Sequence, residues 1–199
     1  MGKTATAALR GDASSRAEYS DRVGNPLNLP FDPIERAHDN WTRKWGASPA
    51  MAAVTSLMRA QQILIGELDG ALKPFGLTFA RYEALVLLSF SASGSLPLGK
   101  IGERLMVHPT SVTNTIDRLE NQGLVSRLPN PSDGRGVLAE VTDAGREVTE
   151  EATQALLGMD FGLGCYSDDE LWDLHQVFTR LRVDFGDFPG PVVEAAEDR

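Results

Sequence analysis

The sequence predicts a mainly α-helical fold with one small β-hairpin. Three observations carry the prediction. Apolar residues recur with a helical period through most of the chain, helix start and stop signals punctuate that pattern, and only two short adjacent runs read as strands. At 199 residues and 42% hydrophobic content, the chain can bury one full core with length left for appendages around one domain.

Residues 1–30 are rich in Ala, Ser, Gly and charge without a sustained period, and read as a flexible arm. Residues 31–46 follow as an extra N-terminal helix, with Asp32 as N-cap, Pro33 at the first helical position and Gly46 as the stop. Ile34, Ala37, Trp41 and Trp45 form its single apolar stripe. Residues 47–90 hold two scaffold helices. The first starts at Ser48 and Pro49, carries Met51, Val54, Met58, Ile65, Leu68 and Leu72, and ends at "KPFG". The second, "LTFARYEALVLLSF", is apolar around most of its girth and is expected to be buried.

Residues 91–142 are the informative stretch. "LPLGKIGERLMV" and "HPTSVTNTIDRLENQG" read as two helices joined by a tight turn, the second capped by His108, entered through Pro109 and closed by Gly123. At 100° per residue, Val112, Ile116 and Leu119 share one face of that second helix. Thr110, Asn114, Asp117 and Arg118 point away, with Ser111 and Thr113 on the flanks. A free face of small hydroxyls, one amide and one guanidinium suits a nucleic-acid groove. Asn pairs with an adenine edge, Arg with O6 and N7 of guanine, and short hydroxyl side chains admit close approach to phosphates. "GLVSRL" and "GVLAEVT" then bracket the turn "PNPSDG", which makes a hairpin directly after this helix. A hairpin there is a wing, and Arg135 at its tip is placed for a minor groove, held by a charge-assisted hydrogen bond to Asp133. The stretch therefore predicts a winged helix-turn-helix.

The net charge of −9 does not exclude such a partner, because it is unevenly spread. Residues 97–140 carry five Lys/Arg and five Asp/Glu, whereas residues 141–199 carry four against fourteen. A phosphate-contacting surface needs a local positive excess rather than a basic protein.

Residues 143–188 read as two further helices that fit a dimerisation role, the first capped by Thr142 or Asp143. The second opens with a capping box of Ser167 and Glu170 and carries Leu171, Leu174, Val177, Phe178, Leu181 and Phe185 as its stripe. Residues 189–199 read as a flexible tail.

"LKPFGLTFARYEALVLL", "LPLGKIGERLMVHPTSVTNTIDRLENQGLVSR" and "PNPSDGRGVLAEVTDAGRE" resemble successive blocks of MarR-type transcriptional regulators over about residues 50–160. The resemblance implies a winged helix-turn-helix in an obligate homodimer, with N- and C-terminal helices interlocking as the dimerisation element above a palindromic double-stranded operator. It further implies a regulator, usually a repressor, released by a small anionic or aromatic effector. The tryptophan-bearing extra helix is similar to the urate-responsive branch of that family. By that likeness Trp41 would cover the ligand, with Trp45 beside it, and Glu83 and Arg127 would face it. The sequence departs from the branch in having Glu83 in place of an aspartate and Thr115 in place of a second arginine.

Other classes find less in the sequence. His38, His108 and His175 have no metal-ligand spacing on one helix, and neither a Gly-rich phosphate loop nor a nucleophile and base set is present. No metal, cofactor or catalytic residue is expected, and an enzyme is the least favoured class. Cys165 lies beside Asp168, Asp169 and Glu170, whose charge disfavours a reactive thiolate. No run of 18 apolar residues and no signal-peptide pattern occurs, so a soluble, cytoplasmic protein with no membrane partner is expected. The rival reading is a winged-helix interaction module that binds protein without specific DNA binding.

Overall fold

The computed structural model describes residues 29–131 and 136–190, so nearly all of the expected arm and tail lie outside the described residues. The elements follow from local chemistry. Helix α1 (Pro33–Trp45) begins where the Asp32 carboxylate accepts from the Ile34 amide at 2.8 Å, and stops at Gly46, whose φ of 91° suits a residue without Cβ. Helix α2 (Pro49–Leu72) is capped by Ser48, whose hydroxyl accepts from the Met51 amide at 3.2 Å. A single 3-10 turn (Lys73–Phe75) and Gly76, with φ of 68°, reverse the chain into α3 (Phe79–Ser89). The pair expected to be a helix-turn-helix is α4 (Leu98–Leu105) and α5 (Pro109–Asn121). Strands β2 (Val125–Pro129) and β3 (Val137–Val141) form the hairpin, and α6 (Asp143–Leu157) follows at once, capped by Thr142.

One element escapes a reading by periodicity. Residues Ser95–Pro97 form strand β1, pairing Ser95 with Glu140, Leu96 with Ala139 and Pro97 with Leu138, so the helix expected from Leu96 begins at Leu98. The sheet is therefore three-stranded and antiparallel in the order β1-β3-β2, not a bare hairpin. Three residues are too few to display a period of two, and the strand exists because β3 offers it a free edge.

The core lies where these elements meet. Leu72 of α2, Leu85 and Leu88 of α3, Ile101 of α4, Ile116 and Leu119 of α5 and Leu156 of α6 are almost completely buried, and Ala139 closes the layer from the sheet. Each large side chain among them contributes about 1.5–3 kcal/mol relative to exposure. The Tyr82 hydroxyl meets Thr153 Oγ1 at 2.9 Å, tying α3 to α6 with a satisfied polar contact. Helix α6 also packs without a side chain at one point. A Cβ at Gly145 would collide with the Leu124 carbonyl oxygen, so only glycine permits this approach of helix to chain. Although α6 falls within the stretch expected to serve dimerisation, Gly145, Thr149, Ala152 and Leu156 face the core of its own chain.

The chain divides into two compact units, one ending at Gly162 and the other beginning at Leu163. The second unit holds α7 (Asp168–Asp184), whose capping box pairs the Ser167 hydroxyl with the Glu170 amide and the Glu170 carboxylate with the Ser167 amide. No residue of α7 is buried, and Trp172, Val177, Phe178 and Leu181, with Phe185 just beyond its end, are exposed. In the first unit, Val54, Met58, Ile63 and Ile65 of α2 are exposed likewise, while Leu68 and Leu72 are buried.

Candidate nucleic-acid interface

The turn between α4 and α5 is tight because Met106 adopts a left-handed conformation, φ 55°, and the Val107 amide donates to the Gly102 carbonyl at 3.1 Å. Gly102 lets the two helices close up, since a Cβ there would sit 3.2 Å from both the Val107 oxygen and Val112 Cγ2. His108 caps α5, with Nδ1 accepting from the Thr110 amide at 3.2 Å. The helix then divides by face. Val112, Ile116 and Leu119 are buried, whereas Thr110, Ser111, Thr113, Asn114 and Arg118 are exposed. The Thr113 hydroxyl turns back to donate to the Pro109 carbonyl at 3.1 Å. Among the described residues, the side chains of Asn114 and Arg118 have no hydrogen-bond or ion-pair partner, which leaves their donors to solvent or to a ligand. Beyond the last strand pair, at the turn end of the hairpin, the Asn130 amide donates to the Gly136 carbonyl at 3.0 Å. Asp133 and Arg135 lie outside the described residues.

Two features emerge that spacing along the sequence does not reveal. Arg127, on β2, donates from Nη2 to Asp117 Oδ1 at 2.5 Å and from Nη1 to Glu120, gripping both carboxylates of α5. Burial opposes the guanidinium charge, but the hydrogen bonds and charges of Asp117 and Glu120 outweigh it and raise the pKa above its ordinary value. The second is the Gly76 carbonyl, which accepts from Arg81 Nη1 and from Gln122 Nε2, each at 2.9 Å. It ties the turn after α2 to the C-terminal end of α5, across 46 residues of sequence.

The four expected ligand residues lie on α1, α3 and β2. Trp41 and Trp45 pack against each other on α1 as a tilted pair, ring centroids 4.7 Å apart, and both are partly exposed. Arg127 pairs with Asp117 and Glu120. Two surface clefts are lined by other residues, one by Phe31, Glu35, Arg36 and Arg43 along α1, the other by Asp69, Lys73, Thr78 and Arg81. Among the described residues, no cluster of three or more His, Cys, Asp or Glu could hold a metal ion, and no helix is long and apolar enough to cross a membrane.

Glu83 is half-buried on α3 without a polar partner among the described residues, and burial raises its pKa. A carboxyl group with a raised folded-state pKa favours the fold when protonated, and that contribution is lost as pH rises through the folded value. Glu83→Gln is therefore expected to be more stable than the parent near pH 7, with the gap narrowing towards about pH 4. Melting temperatures across that range check the sign.

A tight helix pair with an exposed polar second helix, followed at once by a strand hairpin and joined to a three-stranded sheet, defines a winged helix-turn-helix protein. The model of the MarR family matches residues 77–137, from the start of α3 to the wing. The structure of Sco5413, a MarR family transcriptional regulator from Streptomyces coelicolor, is 63% identical, with a TM-score of 0.68, covering 71% of this chain and 99% of that one. The chain belongs to the MarR family.

It is 36% identical over 93 residues to the multiple antibiotic resistance protein MarR of Escherichia coli, covering 47% of this chain and 62% of that relative. The chain thus spans about three fifths of the length of this and similar curated relatives. A cysteine-to-serine mutant of E. coli MarR complexed with operator DNA is similar at 26% identity and a TM-score of 0.56, covering 67% of this chain and 99% of that one. CouR from Rhodococcus jostii RHA1, bound to p-coumaroyl-CoA, is 26% identical with a TM-score of 0.56, covering 67% of this chain and 90% of that one.

Proposed function

We propose that the protein is a sequence-specific DNA-binding transcriptional regulator, a homodimeric repressor released by a small anionic or aromatic ligand, working in the cytoplasm rather than as an enzyme. One observation carries the reading. Helix α5 buries its apolar face and leaves Thr110, Ser111, Thr113, Asn114 and Arg118 exposed between a tight turn and a wing. Each subunit would lay α5 in a major groove of a palindromic site, with half-sites about one helical turn apart. Asp133 and Arg135 would serve the wing. The operator complex of the E. coli relative supports DNA as the partner. The exposed apolar residues of α2 and α7 support a second subunit, because surfaces of that kind are costly in water.

The ligand-bound state of CouR supports an effector carrying an aromatic ring and negative charge. Trp41, Trp45, Glu83 and Arg127 are the residues to vary first in seeking its site. Such a ligand acts only by binding one arrangement of the subunits more tightly than the other.

The test is salt-dependent binding of the purified protein to the intergenic DNA flanking its own gene, with a scrambled duplex of equal length as control. Selective binding with a steep salt dependence is the expected result. Equal, weak binding to both duplexes would favour the interaction module instead.

A further inference from the structure

The ion-pair cluster of Arg127, Asp117 and Glu120 borders the exposed Thr110, Thr113 and Asn114 of α5. Around α5, Asp117 lies about 60° from Asn114, beside the exposed Thr110, and Glu120 about 60° beyond it towards the buried face. Their side chains are 47% and 39% exposed, whereas that of Arg127 is 25% exposed, because the arginine reaches them from β2. A recognition helix with two free carboxylates on its flank would repel the phosphates it must approach. One guanidinium shared between them halves that charge and also fixes the first strand of the hairpin against the helix.

We propose that Arg127 is a positioning residue for DNA binding, which holds Asp117 and Glu120 and masks their charge so that α5 can approach the phosphates. The proposal rests on reading α5 as the DNA-contacting helix. Arg127 itself need touch no base or phosphate. Its effect runs through the two carboxylates, and that distinguishes it from Arg118, which is exposed and without a partner among the described residues.

The test is fluorescence anisotropy on the intergenic duplex and its scrambled control, at about 0.1 M and about 0.3 M salt, with a melting curve for each variant. Arg127→Ala is expected to bind about tenfold more weakly at the lower salt, with the deficit shrinking at the higher one, as unmasked like charges are screened. Combining Arg127→Ala with Asp117→Asn and Glu120→Gln is expected to restore binding to within about threefold of the parent, because the repelling charge has gone. Parental affinity in the single variant overturns the proposal, as does a deficit that ignores salt and persists in the triple variant. Should Arg127→Ala fail to fold, the variant Asp117→Asn with Glu120→Gln keeps the arginine and is expected to bind more tightly than the parent, and unchanged binding overturns the proposal. A parent chain that binds both duplexes equally overturns the DNA reading itself and the proposal with it. A selective parent beside an unaffected Arg127→Ala overturns the proposal alone.

Discussion

Gly145→Ala is expected to destabilise the fold by about 3 kcal/mol, because the added methyl group has nowhere to go. Its Cβ would collide with the Leu124 carbonyl oxygen and lie 2.9 Å from Val141 Cγ2. The oxygen belongs to the backbone, and it is already held by the Thr142 amide at 3.1 Å, so it cannot swing aside as a side-chain tip would. Relief requires α6 to shift, which exposes Ala152 and Leu156, both fully buried. In a chain of this size the loss corresponds to a fall of about 6–12 °C in melting temperature. Gly66→Ala is the control. Gly66 is exposed on α2 with nothing within 4 Å of where a methyl group would sit, and alanine there is expected to stabilise by about 0.5–1 kcal/mol through helix propensity. Thermal melts at one fixed protein concentration compare the two, and a Gly145→Ala melt within about 2 °C of the parent would contradict the packing account.

Arg118→Ala is expected to weaken binding to the preferred duplex by about tenfold to a hundredfold and to relax discrimination at one base position, as a lost bidentate contact to guanine does. Asn114→Ala is expected to act chiefly on sequence preference. Both side chains are exposed, so neither substitution should move stability by more than about 0.5 kcal/mol. A binding screen against duplexes varied one base pair at a time separates the two effects. Variants that bind every duplex as the parent does would show that α5 is not the reading helix. Arg127→Ala supplies the contrast, because that variant should lose affinity for all duplexes alike.

Much of this architecture is legible in the sequence. Asp32, Ser48, His108, Thr142 and Ser167 each cap a helix in the structure, and the Ser167–Glu170 box closes as its spacing predicts. The buried and exposed faces of α5 follow the 100° rotation per residue, save that Asp117 turns to Arg127 instead of standing free. The exposed apolar stripe of α7 likewise agrees with its period, and the demand for a covering surface follows from the same arithmetic.

Order along the chain settles whatever depends on residues within about four positions of one another: helix caps, the period of apolar faces, and the turn chemistry that separates α5 from the wing. Packing settles the rest. Strand β1 exists because residues 138–140 present it an edge, Arg127 finds two carboxylates seven and ten positions away, Gln122 finds the Gly76 carbonyl, and Gly145 is needed because Leu124 passes close by. Each depends on which surfaces the packed core brings together. A long side chain in an unfolded chain has many carboxylates within reach, and only the packing of β2 against α5 selects Asp117 and Glu120 from among them.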